Sequence, residues 1–212
     1  MQVSNREIYH KGKVIKFTHI KLGSKTICFM FSGSGYNYDK PLFYYSTMKM
    51  IENNIDIVHI HYSYDEQTLK KSIEELSKIM LEDIDQVIST VLFNGDYKET
   101  IFLGKSLGTI PIANSLMKRE EYLNSKMILF TPLLNFGKIF DPVLISQHKG
   151  LLVIGDRDPH YNAENINRLT KETNLKIEVV QDANHSLDIV EFDTSKSINA
   201  LSKIMKNVQN IL

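Results

Sequence analysis

Apolar residues along this chain fall into short unbroken blocks, separated by longer stretches where they recur at every third or fourth position. The blocks cover 26–31, 55–60, 100–103, 126–132, 150–155 and 176–180. Short runs that are apolar throughout fit parallel strands covered on both faces. Between them, Leu42, Tyr45, Met48 and Ile51 mark a helix over 40–53. Leu69, Ile73, Leu76, Met80, Ile84, Val87 and Val91 mark one long amphipathic helix, or two, over 66–92, closed by Asn94-Gly95-Asp96. Further helices are expected from the residues after Gly108 to about Arg119, over 161–173, and over 195–212, where Ile198, Leu201, Ile204, Met205 and Val208 share a face. Residues 7–22 alternate loosely around Lys11-Gly12, which predicts an antiparallel hairpin at a sheet edge. The alternation of strand and helix predicts an α/β three-layer sandwich with a mostly parallel central sheet. One domain spanning 1–212 is expected, without repeats or linkers.

Charge narrows the partners. Lys+Arg and Asp+Glu both total 25 in 212 residues. No basic run or aromatic–basic interleaving points to nucleic acid. The polar start Met1-Gln2-Val3-Ser4-Asn5 is followed by no apolar leader segment, and no run is long enough to cross a membrane. The lone cysteine, Cys28, sits in an apolar block and reads as a buried thiol in a reducing compartment, so the cytoplasm is the expected location. Oligomeric state is not readable.

The chemistry gathers at Gly104-Lys105-Ser106-Leu107-Gly108, directly after the block ending at Leu103. A strand running into Gly-x-Ser-x-Gly and then a helix is the sequence form of a nucleophile elbow, which lifts a serine hydroxyl above the sheet. Gly104-Lys105-Ser106 also ends like a phosphate-binding loop. That motif needs glycine where Glu99 stands, and a flexible loop where Ile101-Phe102-Leu103 reads as strand. A serine hydroxyl needs a general base, and the base needs an acid to hold its tautomer. Strand ends supply both: Gly155-Asp156-Arg157-Asp158-Pro159-His160 after one block, Asp182-Ala183-Asn184-His185-Ser186 after the last. Ser106, Asp158 and His185 can therefore converge, with Asp156 a rival acid and His160 a rival base. Asp158 before Pro159 also has the form of a helix cap. His59 and His61 share a strand face as metal ligands do, but no third ligand follows at a fitting spacing, so neither metal nor cofactor is expected. His10, His19 and His148 carry no pattern.

Taken together, the elbow, the Gly155-Asp156-Arg157-Asp158 loop and Asn184-His185-Ser186-Leu187 resemble the α/β-hydrolase superfamily over nearly the whole chain, closest to small cap-less members of the dienelactone-hydrolase and small-esterase kind. The resemblance implies Asp158 as the triad acid. It also implies an oxyanion hole from the backbone N–H of Leu107 and one N–H of the loop Phe31-Ser32-Gly33-Ser34-Gly35-Tyr36, assigned to Ser34. Many members carry His-Gly where this chain has Ser32-Gly33, and few carry lysine where Lys105 stands. Only residues 132–149 separate two strands where caps usually enter, so no cap domain fits. Gly35, Tyr36, Phe136 and His160 are the expected pocket residues, with Tyr38, Phe43, Tyr44 and Phe140 as further aromatic lining. The expected activity is hydrolysis of a small carboxylic ester, a small-molecule substrate, through an acyl-enzyme on Ser106. The alternatives are a thioesterase or acyltransferase on the same residues, or a non-catalytic binding protein.

Overall fold

The computed structural model describes residues 1–212, apart from the side chain of Glu191. Eight strands form one sheet in the order β1-β2-β4-β3-β5-β6-β7-β8. β1 (Gln2–His10) and β2 (Lys13–Lys21) make the expected hairpin, turning at Lys11 and Gly12, both at positive φ. β2 runs antiparallel to β4 (Asp56–His61). From there β3 (Thr26–Phe31), β5 (Glu99–Lys105), β6 (Lys126–Phe130), β7 (Gly150–Gly155) and β8 (Leu175–Val180) are all parallel. β3 to β7 are buried nearly throughout, as unbroken apolar blocks demand of strands with helices on both faces, whereas the edge strand β8 is buried only at its ends.

Two cores result. On one face, α1 (Pro41–Glu52) and α7 (Thr194–Gln209) pack over Cys28, Met30, Ile57, Leu103 and Val153. On the other, α3 (Ile73–Phe93), α4 (Thr109–Asn114), α5 (Gly137–Ile145) and α6 (Ala163–Glu172) cover Phe29, Phe31, Phe102, Leu129 and Leu152. The helical stretch beginning at 66 is two helices: α2 (Glu66–Leu69) stops short, and α3 restarts with Ser72 and Glu75 in a reciprocal capping box.

Two expectations need correction. The helix after the elbow does not reach Arg119. It begins as a 3-10 turn at Ser106–Gly108 and α4 ends at Asn114, with short 3-10 turns beyond. Pro111 contributes no N–H to its first turn, and Ser115 leaves helical geometry at φ −137°. The Arg119 guanidinium then folds back on Ser115 Oγ and binds both carboxylate oxygens of Asp85 at 2.9 and 2.8 Å. The second correction is α5 itself, which occupies part of the segment read only as a connection. It has an internal Pro142 and starts at Gly137, features that mask helical periodicity.

Candidate active site

All the candidate groups lie at the carboxyl ends of the parallel strands, where ligands of such sheets bind. β5 ends at Lys105, and Ser106 follows at φ 50°, a left-handed conformation that costs a non-glycine residue about 1–2 kcal/mol. The flanking glycines make the turn possible. A Cβ on Gly104 would sit 2.5 Å from Gly108 O, and one on Gly108 would sit 2.1 Å from Phe31 O. The elbow is thus wedged between its own helix and the end of β3, and Ser106 is lifted to a half-buried position.

The loops after β7 and β8 are zipped together. Arg157 N donates to Ala183 O at 3.0 Å, and Asp156 N to Val180 O at 3.1 Å. Gly155 permits the approach, since a Cβ there would lie 2.0 Å from Ala183 O. This pairing carries Asp158 and His185 to one spot. His185 Nδ1 lies 2.8 Å from Asp158 Oδ2, and His185 Nε2 lies 2.8 Å from Ser106 Oγ. Asp158 is 4% exposed and its Oδ1 accepts from His160 N at 2.8 Å. A buried carboxylate that accepts from Nδ1–H leaves Nε2 as the acceptor facing the serine hydroxyl. Asp156 makes no hydrogen bond with the imidazole. Its main chain joins the loop pairing and its Oδ1 is buried without a partner. Asp158 also starts a turn, with its C=O accepting from Tyr161 N at 2.9 Å, so one residue serves two ends.

The loop after β3 packs directly on the elbow: a Cβ on Gly33 would lie 3.6 Å from Ser106 Cβ and 3.3 Å from Lys105 O. Gly33 and Tyr36 exchange both backbone hydrogen bonds, at 3.2 and 3.3 Å, which leaves Ser34 at the tip of a tight turn. Leu107 stands at the start of the elbow helix, where backbone N–H groups have no intrahelical partner. Tyr62 Oη donates to Ser32 O at 2.7 Å and fixes the base of the loop.

A groove of about 650 Å³ opens beside Ser106, lined by Ser34, Leu69, Ile73, Leu107, Leu133 and Phe136 among others. Of the expected pocket residues, Phe136 lines this groove. Gly35 lies on the far side of Ser34, at a hollow shared with Tyr62 and Tyr64. Tyr36 lines a separate hollow with Leu42, Asn184 and Ile198 on the α7 side. His160 packs edge-on to His185, with ring centroids 5.3 Å apart, and its Nδ1 meets Asn135 Oδ1. Burial lowers the pKa of His160, and the neighbouring Asp158 opposes that shift. The further aromatics do not line the groove. Phe43 of α1 is fully buried, and Phe140 of α5 is buried with the Arg168 guanidinium over its ring. Tyr44 is exposed against Tyr45, and Tyr38 donates to main-chain oxygens of Met30 and Ile60 at 2.7 Å. Apolar residues at helical spacing have gone to the core rather than to the site.

His59 and His61 flank Tyr38, His59 stacked on its ring at 4.2 Å and His61 edge-on at 5.4 Å. His59 Nε2 meets Thr47 Oγ1 and His61 Nε2 meets Thr18 Oγ1, so both serve packing. Desolvation pushes His59 down to about 4. Among the described residues, Asp158, His160 and His185 are the one group of three whose ligand atoms lie within 4.8 Å of one another, and each is already hydrogen bonded within the protein. No helix is long and apolar enough to cross a membrane, among the described residues.

Apart from Phe136, the groove's walls are not legible in the sequence, because they come from two segments far apart in the chain, 69–76 and 133–138. The sequence also leaves Lys105 without a role. In the structure Lys105 is buried at 2% exposure, donating to Thr131 Oγ1 at 3.1 Å and His185 O at 2.9 Å.

The model of the alpha/beta hydrolase domain family matches residues 24–212, and the chain belongs to that family. No curated protein matches the sequence. Among solved structures, Est1E from Butyrivibrio proteoclasticus with ferulic acid bound superposes with a TM-score of 0.71 at 11% identity, covering 97% of this chain and 96% of that one. A dienelactone hydrolase from Anabaena variabilis gives 0.70 at 15% identity, covering 100% and 98%. Alpha/beta hydrolase domain-containing protein 10 from mouse gives 0.66 at 10%, covering 99% and 100%. These likenesses extend over whole chains, so the fold here is the hydrolase domain with no cap added.

Proposed function

We propose that this hydrolase is a serine esterase that cleaves small carboxylic esters. One observation carries the reading: the unbroken hydrogen-bonded chain from Ser106 Oγ through His185 to Asp158, at 2.8 Å for each link. Ser106 attacks the acyl carbonyl while His185 Nε2 takes its proton, and Asp158 stabilises the imidazolium. The N–H groups of Leu107 and Ser34 receive the developing oxyanion, each contributing about 3–4 kcal/mol of transition-state stabilisation. His185 returns the proton to the leaving alcohol, then activates water against the acyl-enzyme. The positive φ of Ser106 supports this, since backbone strain is maintained where a side chain must be aimed. The groove's apolar lining beside the serine favours an apolar or aromatic group on the substrate. A small-molecule ester in a reducing, cytoplasmic setting fits the lone, fully buried Cys28.

The test is labelling with an active-site fluorophosphonate, with the adduct located by mass spectrometry. A label on Ser106, absent in Ser106→Ala, together with loss of about 10⁴-fold or more of ester hydrolysis in that variant, is the expected result. A folded wild type that takes no label overturns the reading. A panel of esters graded in acyl length and aromaticity then defines the substrate.

A further inference from the structure

We propose that Lys105 is a positioning residue for the base: its ammonium grips the main-chain oxygen of His185 and so holds the imidazole between Ser106 and Asp158. The inference rests on the esterase reading above.

Lys105 is the last residue of β5, so it is carried by the same strand end that presents Ser106. Its side chain runs inward rather than to solvent, and its Nζ meets groups from several other loops. Thr131, just past β6, accepts at 3.1 Å, and His185, in the loop after β8, accepts through its carbonyl at 2.9 Å. Tyr36, in the loop after β3, lays its ring under the ammonium at 4.5 Å. The carboxylates facing it are Asp158, after β7, and Asp188, after β8. One cation on β5 therefore bonds groups that follow β6 and β8 and lies over a ring from the loop after β3. The donors of an ammonium are charge-assisted, and such bonds are about twice as strong as neutral ones.

The site is costly to maintain. Burial pushes the Lys105 amine down to about 8, against the pull of the two carboxylates. Thr131 is fully buried and held at φ 43°, unfavourable for a β-branched residue, with its hydroxyl kept on the ammonium. An apolar side chain would fill this place without either cost. What it could not do is hold a carbonyl oxygen. The His185 turn needs such a hold: it sits between left-handed residues, Asp182 at φ 55° and Leu187 at φ 65°. Its ties to Asn184 Oδ1 from Ser186 N and Asp188 N lie within the turn itself, while Ala183 O accepts from Arg157 N of the loop after β7 and Ile189 N donates to Ser197 Oγ of α7. Lys105 links the turn to the strand that carries the nucleophile.

The test compares wild type and Lys105→Met, which keeps the apolar stem and removes the cation. Misplacing the base lowers kcat by about 100-fold. KM stays within about threefold, because substrate contacts are untouched. Loss of the donor to His185 O and Thr131 Oγ1 lowers the melting temperature of the variant, and Lys105→Arg, which restores a cation, recovers part of kcat. A folded Lys105→Met with undiminished kcat overturns the proposal. So does a variant that melts lower but whose folded fraction keeps the full kcat. Should Lys105→Met fail to fold, Thr131→Ala removes one of the ammonium's acceptors and is expected to lower kcat several-fold at constant KM; unchanged kcat there overturns the proposal. Failure of the esterase reading is recognised separately, by a wild type that takes no fluorophosphonate. The comparison is then made by NMR of the His185 imidazole, whose signals shift in Lys105→Met if the tether acts and stay in place if it does not.

Discussion

On one side of Ser106 the strand ends meet in a buried polar knot; on the other lies an open apolar groove. In the knot, Asp158, His185, Lys105 and Thr131 are tied by bonds of 2.8–3.1 Å, and the loops that carry them are bonded to each other along the main chain. In the groove, Leu69, Leu133 and Phe136 come from short segments, and its notable ionic tie is the exposed Lys138–Glu74 pair at 3.0 Å across the rim. The knot tolerates little change, because a buried polar group left without its partner costs the full desolvation penalty. The groove tolerates much, because partly exposed apolar residues can be exchanged without leaving an unmet bond. On the proposed esterase reading, reactivity and selectivity fall to different flanks with different tolerance to mutation.

The largest expected effect lies in the knot. Asp158→Asn is expected to lower kcat about 10³–10⁴-fold, because the amide presents the wrong partner to Nδ1. Asp156→Asn, two residues away, should stay within about threefold, since its side chain makes no hydrogen bond with the ring. Equal losses in the two variants, measured by kcat on one ester, would erase the distinction between the acids. Paired glycine substitutions come next. Gly155→Ala forces a Cβ to 2.0 Å from Ala183 O, so the zipped loops must separate. A loss of about 2–3 kcal/mol is expected in denaturant unfolding, with a fall in kcat. Gly137→Ala, on the groove side, brings its Cβ no closer than 3.4 Å to Asp141 Oδ2, an ordinary contact at a helix start. It should be neutral or stabilising by about 0.5–1 kcal/mol. A Gly137→Ala as damaging as Gly155→Ala would mean the groove wall is as constrained as the knot. The smallest effect belongs to the groove. Phe136 is 42% exposed, so Phe136→Ala should leave stability unchanged. It should raise KM for an aromatic ester about tenfold with kcat nearly constant, as expected when uniform binding is lost.

The same split governs what could be read in advance. Every strand, and every helix except α5, is legible, because apolar blocks and helical spacing carry that information locally. Asp158 and Asp156 were both visible as acids, and chain order could not separate them. The choice is made by the bend from Gly155 to Asp158, with Asp158 N donating to Gly155 O at 3.2 Å, which turns one carboxylate inward. The helix after the elbow was drawn too long, because its apolar spacing continues past the point where Ser115 departs from helical geometry. Tyr38, Phe43 and Phe140 were assigned to the pocket because an aromatic residue near a strand end has the same appearance whether it faces core or ligand. Lys105 was visible only as a departure from expectation. Its partners lie 26 and 80 residues away, and no local pattern announces them.

By itself the sequence determined the parallel sheet, the edge hairpin and the elbow. Each of these follows from residues within a few positions: a run of apolar side chains, a Lys11-Gly12 turn, glycines where a Cβ would collide. Only the tertiary structure decided which carboxylate meets His185, what Lys105 holds and which residues wall the groove. Those are contacts between strand ends distant in the chain, and their geometry is fixed by the packing of the sheet rather than by any neighbouring residue.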